Sequence, residues 1–116
     1  MILDQQRVQD ITQGNSKLLI SLSQLFLGEL PAMITDIETA YYQSDRQGTA
    51  RAVHRLKSAV GNFVTSTYYQ EVSQLEIALT GNKDSAITLS DWLIEWNKAK
   101  LKLETMTVEL QEMAGI

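Results

Sequence analysis

Apolar residues recur at three- and four-residue steps along nearly the whole chain, and this periodicity constrains the fold more than any other feature. Leu18, Leu22, Phe26, Leu30, Met33, Ile37 and Tyr41 form one such stripe. One Pro and six Gly leave little punctuation for the many turns a strand-rich fold needs. The spacing predicts five helices. The first is short, over Leu3 to Thr12, with Leu3, Val8 and Ile11 inward. The second runs from about Ser16 to Ser44, kinked or divided at Pro31, whose ring removes one hydrogen bond. The third runs from about Arg46 to Phe63 or Val64, with Val53, Leu56, Val60 and Phe63 inward. The fourth ends near Thr80 and buries Tyr68, Val72, Leu75 and Leu79. The last covers about Asp84 to Met113, through Leu89, Trp92, Trp96, Leu103, Met106 and Leu110.

Local punctuation agrees with this division. Ser44 with Gln47, and Thr67 with Gln70, have the spacing of capping boxes. Gly14-Asn15 and Gly81-Asn82 read as turns. Short connections make sequential neighbours antiparallel. The expectation is an all-α chain: one domain over 1–116, an antiparallel up-and-down four-helix bundle with an additional short N-terminal helix.

Composition removes several classes of function. The absence of Cys excludes disulfide frameworks, thiol catalysis and cysteine-ligated metal. A single His disfavours a histidine-rich metal site. A net charge of −4 argues against broad nucleic-acid binding. The N-terminus lacks the basic and apolar regions of a secretory signal, and Leu18 to Leu30 is interrupted by Ser21, Ser23, Gln24 and Glu29. A cytoplasmic monomer without membrane or nucleic-acid partners is the expectation.

One segment departs from the acidic background. Between Arg46 and Lys57 stand four bases, Arg46, Arg51, Arg55 and Lys57, and no acid. At 100° per residue, His54 lies on the shoulder of the third helix's apolar stripe. Ser58 and Gly61 follow it on the same side, and Gln47 and Arg51 precede it. The lone His thus stands in a lane of small and polar residues that favours an anion or an acidic partner. A surface His, a solvated basic face and a Gly that eases helix packing are the plainer readings of these residues. The tryptophans and the methionines Met33, Met106 and Met113 read as core, and Lys98, Lys100 and Lys102 as a solvated face. Tyr41-Tyr42 and Tyr68-Tyr69 each offer one inward and one outward ring.

The segment His54-Arg55-Leu56-Lys57-Ser58-Ala59-Val60-Gly61-Asn62-Phe63 resembles the signature of histidine-containing phosphotransfer (HPt) domains of bacterial two-component phosphorelays. Phe26-Leu27-Gly28-Glu29-Leu30-Pro31 resembles the preceding helix of that family, and Ser44-Asp45 its turn before the His helix. Leu75-Glu76 resembles its Leu-Glu pair, and the likeness covers about Leu18 to Leu79. There are departures. Ser58 stands where Gly is frequent, Val64-Thr65 where Gly-Ala is usual, and Tyr68 where Leu is usual.

The resemblance implies a phosphoryl carrier. His54 would accept a phosphoryl group from a receiver-domain phospho-aspartate and pass it to the aspartate of a response regulator. An exposed imidazole is mostly neutral at cytoplasmic pH, as a nucleophile must be. The attacking atom would be Nε2. Lys57 would offset charge on the phosphoryl oxygens, and Glu76 would orient the imidazole through Nδ1. Arg51, Arg55, Ser58 and Gly61 would meet the partner. That partner is the receiver domain of a hybrid sensor kinase or of a response regulator. No cofactor is expected on this chain; Mg²⁺ would sit in the receiver. The chain has no Walker-type or kinase-like Gly-rich loop, so neither ATP binding nor autokinase activity is expected. The rival reading is a helical adaptor that binds receiver or kinase domains without carrying phosphate. A hydrolase using His54 as base lacks an assignable nucleophile.

Overall fold

Asn15 opens the longest element of the fold, its side chain accepting the Leu18 amide at 3.1 Å. In the computed structural model, which describes residues 1–81 and 85–116, five α-helices follow in chain order. They are α1 (Gln5–Thr12), α2 (Ser16–Tyr42), α3 (Arg46–Val60), α4 (Ser66–Leu79) and α5 (Trp92–Ala114). A 3₁₀ turn at Leu89–Asp91 leads into α5. Helices α2 and α4 each pack on both α3 and α5, so four helices close a ring around one core. The all-α bundle with a short N-terminal helix is therefore the fold.

The core residues follow the helical period. On α3 they are Val53, Leu56 and Val60, each fully buried; on α4, Tyr68, Val72, Leu75 and Leu79. Helix α5 contributes Trp92, Trp96, Leu103, Met106 and Leu110. The buried polar handles are satisfied across helices. Tyr68 donates its hydroxyl to the Ala99 carbonyl at 2.8 Å, and Trp92 donates Nε1–H to the Leu75 carbonyl at 2.9 Å. Burial, with the Glu71 charge adding to it, pushes the Tyr68 phenol well above its ordinary range.

Several expectations from the sequence are corrected. Helix α2 runs through Pro31 without division, because Leu30, Met33 and Ile37 on either side of it are buried while the ring itself is exposed. The inward face of α2 is Ser23, Phe26, Leu30, Met33 and Ile37; Leu18 is exposed and Leu22 only half-buried. Taken over its whole length, α2 is long and apolar enough to cross a membrane, with an 18-residue window of mean hydropathy 1.5, although the stretch Leu18 to Leu30 alone falls short. Only 22% of that window is buried in the bundle, through residues such as Phe26 and Leu30, while Leu25 is 60% exposed. On α1, Ile11 is exposed and Thr12 turns inward, its hydroxyl donating to the Val8 carbonyl at 2.8 Å.

The caps also differ. Asp45, not Ser44, caps α3: its carboxylate accepts the Gly48 amide at 2.8 Å, and Ser44 takes a left-handed φ of 56° to turn the chain. A methyl group on Gly48 would run into that carboxylate. Thr65, not Thr67, caps α4 by accepting the Tyr68 amide at 3.3 Å. Helix α5 begins at Trp92 rather than near Asp84, because Thr88 and the 3₁₀ turn set its entry; Leu89 is exposed. Asn82 and Asp84 lie outside the described residues, whereas Gly81 has the left-handed φ of 78° expected after α4.

The N-terminal strap is fixed in place. Leu3 pairs with Val64 in an isolated antiparallel bridge. The Asp4 amide donates to the Phe63 carbonyl at 2.8 Å, and the Thr65 amide to the Ile2 carbonyl at 3.0 Å. Glu109 on α5 accepts the amides of Ile2 and Leu3 through one oxygen, at 3.0 and 3.1 Å. With Leu3 and Val8 each 1% exposed, α1 is held against the connection between α3 and α4.

Candidate functional site

Burial of Val53, Leu56 and Val60 fixes the rotation of α3, and that rotation turns His54 outward: its side chain is 61% exposed. Opposite it, burial of Leu75 and Leu79 on α4 brings Glu76 to the α3–α4 seam, with a side chain 21% exposed. His54 Nδ1 lies 2.9 Å from Glu76 Oε2. Lys57 Nζ lies 2.6 Å from the other oxygen, Oε1. One carboxylate therefore joins the imidazole to the ammonium, each on its own oxygen.

The Glu76 contact favours one tautomer of the imidazole. An ionised carboxylate only accepts, so Nδ1 must be the donor. In a neutral ring the lone pair then resides on Nε2, on an exposed ring. A charge-assisted bond of this kind also favours positive charge on the ring when a substituent adds to Nε2.

Lys57 is more enclosed than Arg46, Arg51 or Arg55, at 19% exposed, and its ammonium lies 6.0 Å from the centre of the Tyr69 ring. Of the pair Tyr68-Tyr69, Tyr68 is the inward ring and Tyr69 the half-buried one beside the His54 lane. Tyr69 packs against Gly61, where an added Cβ would lie 3.2 Å from the ring and 3.3 Å from the Lys57 carbonyl. Gly61 is the C-cap of α3 rather than an interior residue, so its small size answers to close approach by Tyr69.

The other residues of the lane fall in two groups. Ser58 is exposed one turn beyond His54, and Gly61 follows on the same side. Arg51 is exposed. Arg55 reaches Asp36 of α2 at 3.6 Å, with both side chains more than half exposed, so the pair contributes little. Lys98, Lys100 and Lys102 are not simply a solvated face. Lys98 pairs along α5 with Glu95, but Lys100 crosses to Glu38 of α2 and Lys102 to Glu71 of α4.

Comparison with known proteins gives one positive finding: the family model described as the Hpt domain matches residues 21–114. No match was found among curated proteins or among solved structures. The matched span contains His54, Lys57 and Glu76 and leaves α1 outside.

Proposed function

We propose that this chain, which belongs to the Hpt domain family, carries a phosphoryl group on Nε2 of His54 between receiver domains. Hpt domains serve the phosphotransfer relays of two-component signalling as carrier modules rather than ATP-using enzymes. The observation that carries the assignment to His54 is the Glu76 contact at Nδ1, 2.9 Å long, on a ring otherwise open to solvent.

The chemistry is a displacement at phosphorus. The Nε2 lone pair attacks the phosphorus of an aspartyl phosphate on the donor receiver. The P–O bond to the aspartate breaks, and the carboxylate leaves with the electron pair. An Nε2–P bond forms, and the ring becomes cationic while its proton stays on Nδ1, hydrogen-bonded to Glu76. No proton need leave the site, and the same steps reversed load the next receiver. Glu76 supports the charge that develops on the ring. Lys57, already held beside it, supplies a point charge for the phosphoryl oxygens. The divalent cation of such a transfer belongs to the acidic pocket of the receiver, and Ser58 leaves room for the receiver's loops.

The test is phosphoryl transfer to the full chain from phosphoramidate and from a panel of phosphorylated receivers, with His54→Gln as control. An acid-labile, alkali-stable label on wild type and none on His54→Gln supports the assignment. A folded wild type that binds a receiver yet takes label from neither source is an adaptor.

A further inference from the structure

The lane that begins at His54 does not stop at the end of α3. It enters a cleft of about 290 Å³ that Ser58 and Gly61 line together with Asn62, Tyr69 and Arg7 of α1. Arg7 is the one base among the first sixteen residues. Its nearest carboxylate is Asp4 at 3.9 Å, and its side chain is 47% exposed. A pair so long and so open contributes little and leaves the guanidinium free to take another acceptor. Asp4 is meanwhile committed to capping α1 through the Arg7 amide at 3.1 Å.

The backbone that leads into α1 is tied to the rest of the bundle. The Leu3–Val64 bridge, the two flanking backbone bonds and Glu109 hold the strap that leads into α1. The guanidinium is thus presented from a tethered helix beside Ser58 and Gly61 of the His54 lane. That lane already carries Arg51, His54 and Lys57.

We propose that α1 forms one wall of the receiver-docking surface and that Arg7 meets a carboxylate on the rim of the receiver's phospho-aspartate pocket. This rests on the carrier reading of His54. The occupant follows from charge and continuity. A pocket that holds an aspartate and a divalent cation is built of carboxylates, and a receiver seated over His54 and Ser58 extends across the cleft. Because α1 lies outside the span shared with the family model, its contact would set partner choice rather than phosphoryl chemistry.

The experiment uses the full chain and two donors, phosphoramidate and the receiver that labels wild type fastest. Arg7→Glu is the test variant. A carboxylate in the first turn of α1 suits the helix dipole, so the helix should be retained, as circular dichroism would verify. Lys98→Glu, on an exposed α5 side chain, is the matched charge control. The ratio of receiver-driven to phosphoramidate-driven labelling should fall about tenfold in Arg7→Glu. It should fall less in Arg7→Lys, stay at the wild-type value in Lys98→Glu, and lose part of its salt dependence in Arg7→Glu. A wild-type ratio in Arg7→Glu overturns the proposal, as does an equal fall in Lys98→Glu. Absence of label from phosphoramidate as well as receivers would sink the carrier reading itself. Label from phosphoramidate alone would overturn only the docking surface.

Discussion

Two glutamates in this bundle bind the same kinds of donor and are put to different use. Glu38 of α2 accepts Trp96 Nε1–H at 3.0 Å and Lys100 Nζ at 2.9 Å, both on Oε2. Glu76 of α4 accepts His54 Nδ1–H at 2.9 Å and Lys57 Nζ at 2.6 Å, on separate oxygens. Each joins a ring nitrogen and a lysine across a helix seam. The difference lies in the ring. Trp96 is fully buried and has one nitrogen, which can only donate, so the contact ends at Glu38. His54 is exposed and has a second nitrogen whose lone pair faces outward once the first is engaged. The same carboxylate chemistry makes a structural tie in one place and, in the proposed function, a poised nucleophile in the other.

The largest contrast should come from removing the second nitrogen's chemistry. His54→Gln is expected to abolish phosphoryl labelling while leaving the thermal unfolding midpoint near wild type, because the side chain is exposed. A large loss of stability would show that His54 is a structural tie like Trp96. The converse change is Trp96→Phe, which keeps a buried ring but removes the donor to Glu38. It should cost about 2 kcal/mol in urea unfolding and leave phosphoramidate labelling of His54 intact.

Glu76→Gln sharpens the comparison from the other side. The amide oxygen can still accept Nδ1–H, but the negative charge that supports the imidazolium and holds Lys57 is gone. A fall in transfer rate of about tenfold is expected, equivalent to about 1.4 kcal/mol of barrier. In Glu76→Ala, nitrogen-15 spectra of the imidazole should show the Nδ1–H preference weakened. An unchanged rate and an unchanged tautomer would remove Glu76 from the mechanism.

The smallest effect concerns acid stability. Partial burial of Glu38 works against its charged form, but the Lys100 and Trp96 hydrogen bonds and the Lys100 charge outweigh it, so its carboxyl lies below the ordinary 4.5. A carboxyl depressed on folding stabilises the fold fully above its unfolded value, and that contribution is lost as pH falls through the folded one. Glu38→Gln should therefore be about 1 kcal/mol less stable near pH 7. The gap should close progressively below pH 4.5. A gap independent of pH would assign the loss to packing.

What could be read in the sequence divides along the same line. The stripes of α3 and α4 follow from one period, and with them the outward position of His54 and the lane through Ser58. The likeness to the HPt signature pointed to Lys57 and Glu76, but the sharing of the Glu76 carboxylate between His54 and Lys57 depends on the rotation of α4 against α3, which no single helix encodes. The lysines of α5 illustrate the same limit: their spacing suits solvent, and only packing shows that Lys100 and Lys102 reach other helices. Caps failed for a local reason. Ser44 and Asp45, like Thr65 and Thr67, offer competing oxygens within two residues, and backbone turning at Ser44 decided the first case. The proximity of Arg7 to Gly61 depends on a bridge between Leu3 and Val64, which apolar periodicity does not register.

The grip of Glu109 on the amides of Ile2 and Leu3 joins positions 107 and 106 residues apart, in a fold otherwise built largely from helices packed on their sequence neighbours. Bonds of that reach close nearly the whole chain into a loop and carry the corresponding closure entropy. Those two amides therefore work as a gauge of the whole bundle. In hydrogen exchange they should open early if the strap peels away alone, and together with the α3 core if α1 is an integral wall of the molecule.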